Sequence, residues 1–325
     1  MIERTSIKSV ERLDDYQDEY VYDIGVDSND PYFFANDILI HNSVYFSAFP
    51  VLKKDIEGGT IPWDKDSVIQ LYDQICDQAN STFKDFMLSA FHCPESRSGV
   101  IQAGREIVAQ SGLYITKKRY AALVIDDEGS RKDVDGKSGK IKAMGLDLRR
   151  SDTPIYMQEY LKEVLLMVLE GESEEAVLDK ISEIRTKFKN MHSWEKGTPK
   201  KVNNLTHFKE GIEKNPKMVV PGHVRAALNW NTMKKMNSDT FSQDIVDGMK
   251  VIVCKLKNNP MGFTSIAYPV DQPAIPEWFK ELPFDDDLME EAIVDKKLHN
   301  LIGVLDFDID RTKQDNNFGD LFDWG

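Results

Sequence analysis

The sequence predicts a multi-domain chain. A small, mostly β piece covers residues 1–42, an α+β segment covers 43–151, a mainly helical segment covers 152–284, and an acidic tail covers 285–325. Three observations predict this division. Residues 20–40 alternate β-branched and aromatic residues around turn-forming ones. Residues 98–148 hold two strand-like runs, a turn-rich tip and a returning run. After residue 152 apolar side chains recur at helical spacing.

Residues 20–26 (YVYDIGV) read as a strand and 27–31 (DSNDP) as a turn. Residues 32–40 (YFFANDILI) read as strand, Asn-Asp turn, strand, and 44–49 (VYFSAF) as a further strand. Ile69, Tyr72, Ile75 and Cys76 share one face of a helix over 66–90. Two strands follow within 98–126, then a hairpin tip over 127–139 and a return over 140–148. Asp152 or Thr153 is a candidate cap for the next helix, with Pro154 in its first turn. Leu161, Val164, Leu165, Val168 and Leu169 form its apolar stripe. Gly171 stops it, Ser173 starts another, and the second stripe is Val177, Ile181, Ile184 and Phe188. Residues 190–217 read as irregular and basic, and 218–269 mix strand and helix signals.

A chain of 325 residues can bury a sizeable core. Its 41% hydrophobic and 30% charged content is ordinary for a soluble globular protein. No apolar run approaches the ~18 residues that a membrane span requires. The opening MIERTSIKSVERLDD lacks the apolar centre of a signal peptide. Cys76, Cys93 and Cys254 have no ligand-like spacing, and the odd number fits a reduced, cytosolic compartment.

The net charge of −14 argues at first against nucleic acid, but its distribution reverses that reading. Residues 1–42 carry 10 acids and 3 bases, and residues 282–325 carry 12 acids and 4 bases, so the middle of the chain stands at +1. Basic clusters punctuate that middle: Lys117-Lys118-Arg119, Arg149-Arg150, Lys200-Lys201 and Lys234-Lys235. Phosphate contact depends on local clusters more than on total charge. For any single pair the blander reading is a solvated surface lysine.

The segment VYDIGVDSNDPYFFANDILIHNS, residues 21–43, resembles the C-terminal blocks of an intein, with a hydrophobic strand ending in His41-Asn42-Ser43. Met1 stands only a few dozen residues upstream, so the resemblance is to the C-terminal piece of a split intein, whose N-terminal piece lies on another chain. It implies a role for each junction residue. Ser43 accepts the incoming N-terminal protein on its hydroxyl, a weak nucleophile that position and a base must activate. Asn42 cyclises on its own carbonyl and cuts the chain. His41 donates a proton to the leaving amine or polarises the carbonyl. Inteins often place a histidine near Asp30, and this chain does not. Asp30 is a candidate replacement; it is equally well read as a turn aspartate.

From Ser43 onward the chain resembles the C-terminal part of a family B DNA polymerase, best matched by the phage replicative branch. Ser43-Val44-Tyr45 continues the palm hairpin motif Asp-Thr-Asp-Ser-Val-Tyr, whose aspartates would stand on the partner. Lys117, Lys118, Arg119 and Tyr120 resemble the motif that holds the primer–template duplex. KAMGLDLRRSDTP, 142–154, resembles the passage from palm to thumb. PGHVRAALNWN, 221–231, resembles a thumb segment in which His223 and Arg225 reach backbone phosphate. Glu106 stands where phage relatives carry an acid near the metals.

The resemblance implies a palm remainder over 43–151, a thumb over 152–284, and nucleotidyl transfer from dNTP with two Mg²⁺ ions held mostly by the partner chain. It also implies a sliding clamp as partner. Phe318, Leu321 and Phe322, at i, i+3 and i+4, form one apolar face at the end of the acidic tail; the alternative is a tail folded back on the thumb. The expected setting is the bacterial host cytoplasm, with the protein phage-encoded. Two other readings stand beside trans-splicing: a polymerase subunit that associates non-covalently and carries a dead intein remnant, and a DNA- or clamp-binding module. The intact His41-Asn42-Ser43 favours splicing over the first, and the palm strands disfavour the second.

Overall fold

A computed structural model describes residues 32–35, 38–41, 47–99, 102–116 and 118–313. The roles read for Asp30, Asn42, Ser43, Lys117, Phe318, Leu321 and Phe322, and the strand read over 20–26, lie outside the described residues. The chain divides into two units at Trp63/Asp64.

In the first unit, β1 (Tyr32–Ala35) and β2 (Ile38–His41) pair antiparallel, Tyr32 opposite His41 and Ala35 opposite Ile38. These are the two strands expected within 32–40, and the second sets His41 at the end of a strand. The strand expected through residue 49 is corrected. Phe49 opens the helix α1 (Phe49–Glu57), with Pro50 in its first turn. Proline has no amide for a strand ladder and fits the open start of a helix. The Phe49 and Trp63 rings meet at 5.6 Å.

The second unit begins with α2 (Lys65–Phe91), close to the expected bounds. Asp64 caps it by accepting from the amides of Asp66 and Ser67, each at 3.0 Å. A sheet follows, made of β3 (Ile107–Thr116), β4 (Arg119–Asp127), β5 (Ser130–Arg131) and β6 (Lys140–Met144). The central strand is β4, paired antiparallel with the other three. All six residues Ala121–Asp126 are buried, so β4 is covered on both faces. Helix α2 is fastened to this sheet by several polar joints, among them the pairing of Asp66 with Arg131 of β5. Asn80 exchanges hydrogen bonds of 2.9 and 2.7 Å with the backbone of Ala103. Arg105 bridges Asp73 of α2 and Asp126 of β4.

Helices α3 (Ile155–Glu170) and α4 (Glu174–Asn190) bury both predicted stripes, except that Val168 is half-buried. Gly171 ends α3 in a left-handed turn (φ 80°), and Ser173 caps α4. The start of α3 differs from expectation: Pro154 is the cap residue and no side chain caps the helix. Asp152 is drawn away to Arg150 and Lys200.

Residues 152–284, expected to be mainly helical, also contain a sheet. Strand β7 (Thr198–Lys201) and helix α5 (Leu205–Lys214) occupy the stretch read as irregular. Helix α6 (Gly222–Met236) packs across β8 (Lys250–Lys255) and β9 (Ser265–Pro269), and the strand order is β7-β8-β9. Asn229 and Trp230 of α6 hold this layer by side-chain bonds to the carbonyls of Ser265 (2.8 Å) and Gln243 (2.9 Å). The Trp230 ring meets Trp278 and Phe279 of α7 (Glu277–Lys280).

The acidic tail read from residue 285 is folded as far as 313. It forms α8 (Asp286–Glu290), a wide turn over Glu291–Asp295 and α9 (Lys296–Ile302). Met289, Ile293, Val294, Leu298, Leu301, Ile302 and Ile309 are buried in the core between its acids. Fully buried Arg185 of α4 ties the segment down. It donates to Thr312 (2.7 Å), Glu290 (2.8 Å) and Asp295 (2.6 Å). No helix among the described residues is long and apolar enough to cross a membrane.

Candidate nucleic-acid interface

The tight connection between β3 and β4 carries the basic cluster. Lys118 stands there in a left-handed conformation (φ 64°), with its side chain exposed. The end of β6 runs against this turn. A β-carbon at Gly145 (φ 64°) would lie 2.3 Å from the Lys118 carbonyl oxygen, so both the approach and the backbone conformation require glycine. Arg119 spans the joint, its Nε donating to the Gly145 carbonyl (3.3 Å) and its Nη2 to the Asn300 carbonyl of α9 (3.0 Å). The guanidinium is thus held by backbone acceptors and binds the turn to the C-terminal helices. Tyr120 sits between Tyr114 of β3 and Met144 of β6, its direct cross-strand neighbours.

A run of charged groups leads from this turn to the second sheet. Asn300 donates to Asp147 (3.2 Å), and Lys297 pairs with the same carboxylate (3.4 Å). Arg150 bridges Asp147 (3.3 Å) and Asp152 (3.0 Å), and Lys200 of β7 reaches Asp152 at 3.2 Å. Arg150, then Lys200, hold the Asp152 carboxyl well below the usual range. Burial, then Lys200, lower the His223 imidazole from its ordinary value, so at neutral pH it offers a neutral donor or acceptor. Arg225, two residues further along α6, is exposed. The structure therefore connects Arg119, Arg150 and Lys200, which come from three separate parts of the sequence. Lys118 lies at the start of this run. Asp147, Lys297 and Asn300 were not anticipated. Asp147 stands three residues before Arg150, a recognisable pairing distance, but the other two lie in the segment read as a tail.

Glu106 is ion-paired with Lys142 of β6, and Asp126 with Arg105. Among the described residues no three acidic, histidine or cysteine side chains converge as a metal would require.

The chain is similar over part of its length to known DNA polymerases. The chain is 34% identical over 159 residues to the DNA-directed DNA polymerase of Escherichia phage RB69, covering 49% of this chain and 17% of that protein. It is 27% identical over 203 residues to the DNA-directed DNA polymerase of Enterobacteria phage T4, covering 61% of this chain and 20% of that protein. It is also 31% identical over 172 residues to the DNA polymerase of Thermococcus litoralis, covering 53% of this chain and 8% of that protein. The chain thus spans about a fifth of the length of the phage polymerases it matches. No family model matches it.

Proposed function

We propose that this chain is the C-terminal precursor of a family B DNA-directed DNA polymerase, completed by protein trans-splicing and acting in phage DNA replication in the bacterial host cytoplasm. Its similarity to phage DNA polymerases carries the reading. The run of charged groups from Lys118 and Arg119 to Lys200 supports primer–template DNA as the ligand, with His223 and Arg225 of α6 as proposed further contacts. Residues 43–151 supply the last palm strands and 152–284 the thumb. Most of the carboxylates that hold Mg²⁺ and orient dNTP come from the N-terminal part of the polymerase, so this chain alone is inactive in synthesis. The β1–β2 hairpin ending at His41 supports the splicing half of the proposal.

The interface is tested by titrating the full chain against fluorescent primer–template at several salt concentrations. Lys118→Ala is expected to weaken binding with little sequence preference and to lower the slope of log affinity against log salt by about one. Unchanged affinity and slope would return Lys118 to the solvated surface.

Phe318, Leu321 and Phe322 are the proposed sliding-clamp anchors, on the strength of their spacing in an acidic segment. In the spliced enzyme, deleting 318–325 should leave extension of short templates intact and remove stimulation by the clamp. Equal stimulation with and without these residues contradicts the assignment, and loss of basal extension indicates a segment folded on the thumb.

A further inference from the structure

The end of the β3-β4-β6 sheet beside the Lys118 turn carries a row of large side chains on one face. Tyr114, Tyr120 and Met144 are direct neighbours across the three strands, so they share that face. The Tyr114 and Tyr120 rings lie 5.8 Å apart and 21° from parallel. Tyr114 remains 55% exposed and Met144 51%. The next row is Gly112, Ala122 and Lys142, two minimal side chains followed by a cation. A β-carbon at Gly112 would lie 2.8 Å from the Tyr114 ring, so Tyr114 leans back over Gly112. The result is an apolar bar three strands wide, about 10 Å at ordinary strand spacing, with Lys118 and Arg119 at its border.

Resting on the polymerase reading above, we propose that this bar packs against the sugars and base edges of a DNA duplex whose phosphates are held by Lys118. Tyr114 and Met144 thereby join Tyr120 in the interface. Charge decides between nucleic acid and protein as the occupant. The row contains no acid, and the turn that borders it is cationic, which complements a polyanion. Geometry decides between a duplex and an unstacked base. A flipped or single-stranded base is held against open ring faces, whereas these two rings stack on each other and Tyr114 is laid against Gly112. What they leave exposed is suited to apolar contact along a groove. An apolar contact releases no counterions, so it should add affinity without adding salt dependence.

The test uses the full chain, a fluorescent primer–template duplex and a salt series. Tyr114→Ala and Met144→Ala replace half-exposed side chains, and unchanged thermal melting will confirm that both variants fold. Tyr114→Ala is expected to weaken binding by roughly tenfold, the scale of losing the burial of one large apolar side chain, with the salt slope unaltered. Tyr114→Phe should keep wild-type affinity. If the wild-type chain binds the duplex and Tyr114→Ala binds it equally well, the bar is not part of the interface, although the DNA reading stands. If Tyr114→Ala leaves DNA affinity intact but changes the sedimentation of the chain, the bar is a protein contact and the proposal is overturned. If the wild-type chain fails to bind the duplex at all, the polymerase reading falls and the bar's role falls with it.

Discussion

On the proposed trans-splicing, Asn42→Ala is expected to abolish release of residues 1–42 when the chain meets a partner bearing an N-terminal intein piece. Peptide cleavage at this position needs a side-chain amide that can attack its own carbonyl, and alanine has none. Branched or unspliced species should accumulate, because acyl transfer to Ser43 precedes cyclisation. Ser43→Ala should block ligation at the earlier step. His41→Ala should slow cleavage by about 10²-fold or more, the usual contribution of a positioned proton donor. Intact-mass spectrometry of the mixture reads all three. A fragment ending at residue 42 from the Asn42→Ala protein would overturn the splicing assignment. A wild-type chain that binds its partner yet never yields a new peptide bond would favour non-covalent association.

Arg185→Ala should cost about 3–5 kcal/mol of folding stability, as expected when one partner of a buried ion pair is removed. The guanidinium is fully buried and serves three acceptors on the C-terminal segment. Its removal leaves Glu290 and Asp295 facing a cavity, with Lys313 still bound to Asp295 at 3.0 Å. Urea unfolding measures the loss. Replacing Arg185, Glu290 and Asp295 together by Met, Gln and Asn should recover much of it, since the cost comes from stranded charge more than from a missing attraction. A loss below about 1 kcal/mol would place Arg185 among exposed pairs of little consequence.

Several elements were legible in the sequence because their pattern and environment agree. The stripes of α3 and α4 face one core, so helical spacing alone identifies them. The hairpin over 32–41 has turn residues between two apolar runs. The misread elements are those in which a local signal met a tertiary contact. Asp152 has the chemistry of a helix cap, but Arg150 and Lys200 bind it more favourably than the open amides do. Acid counts made residues 285–313 look like a tail, although Ile293, Val294, Leu298 and Leu301 are interleaved among those acids and become buried. The basic cluster at 117–120 was visible as a motif. Its connection through Gly145 and Asn300 was not, because it depends on a contact with α9 roughly 180 residues further along the chain.

The carboxylates threaded through the basic run bear on how the DNA would travel. A polymerase must let the duplex advance by one nucleotide, about 3.4 Å along each strand, after every addition. A surface of unopposed cations would trap each phosphate and make that step slow. Here Asp147 and Asp152 already satisfy part of the charge on Arg150, Lys200 and Lys297. On the proposed DNA reading, a phosphate reaching Arg150, Lys200 or Lys297 would compete with a carboxylate already in place, so each attraction would be weaker than that of an unopposed cation. The same pair of acids would then favour passage of the duplex over its arrest.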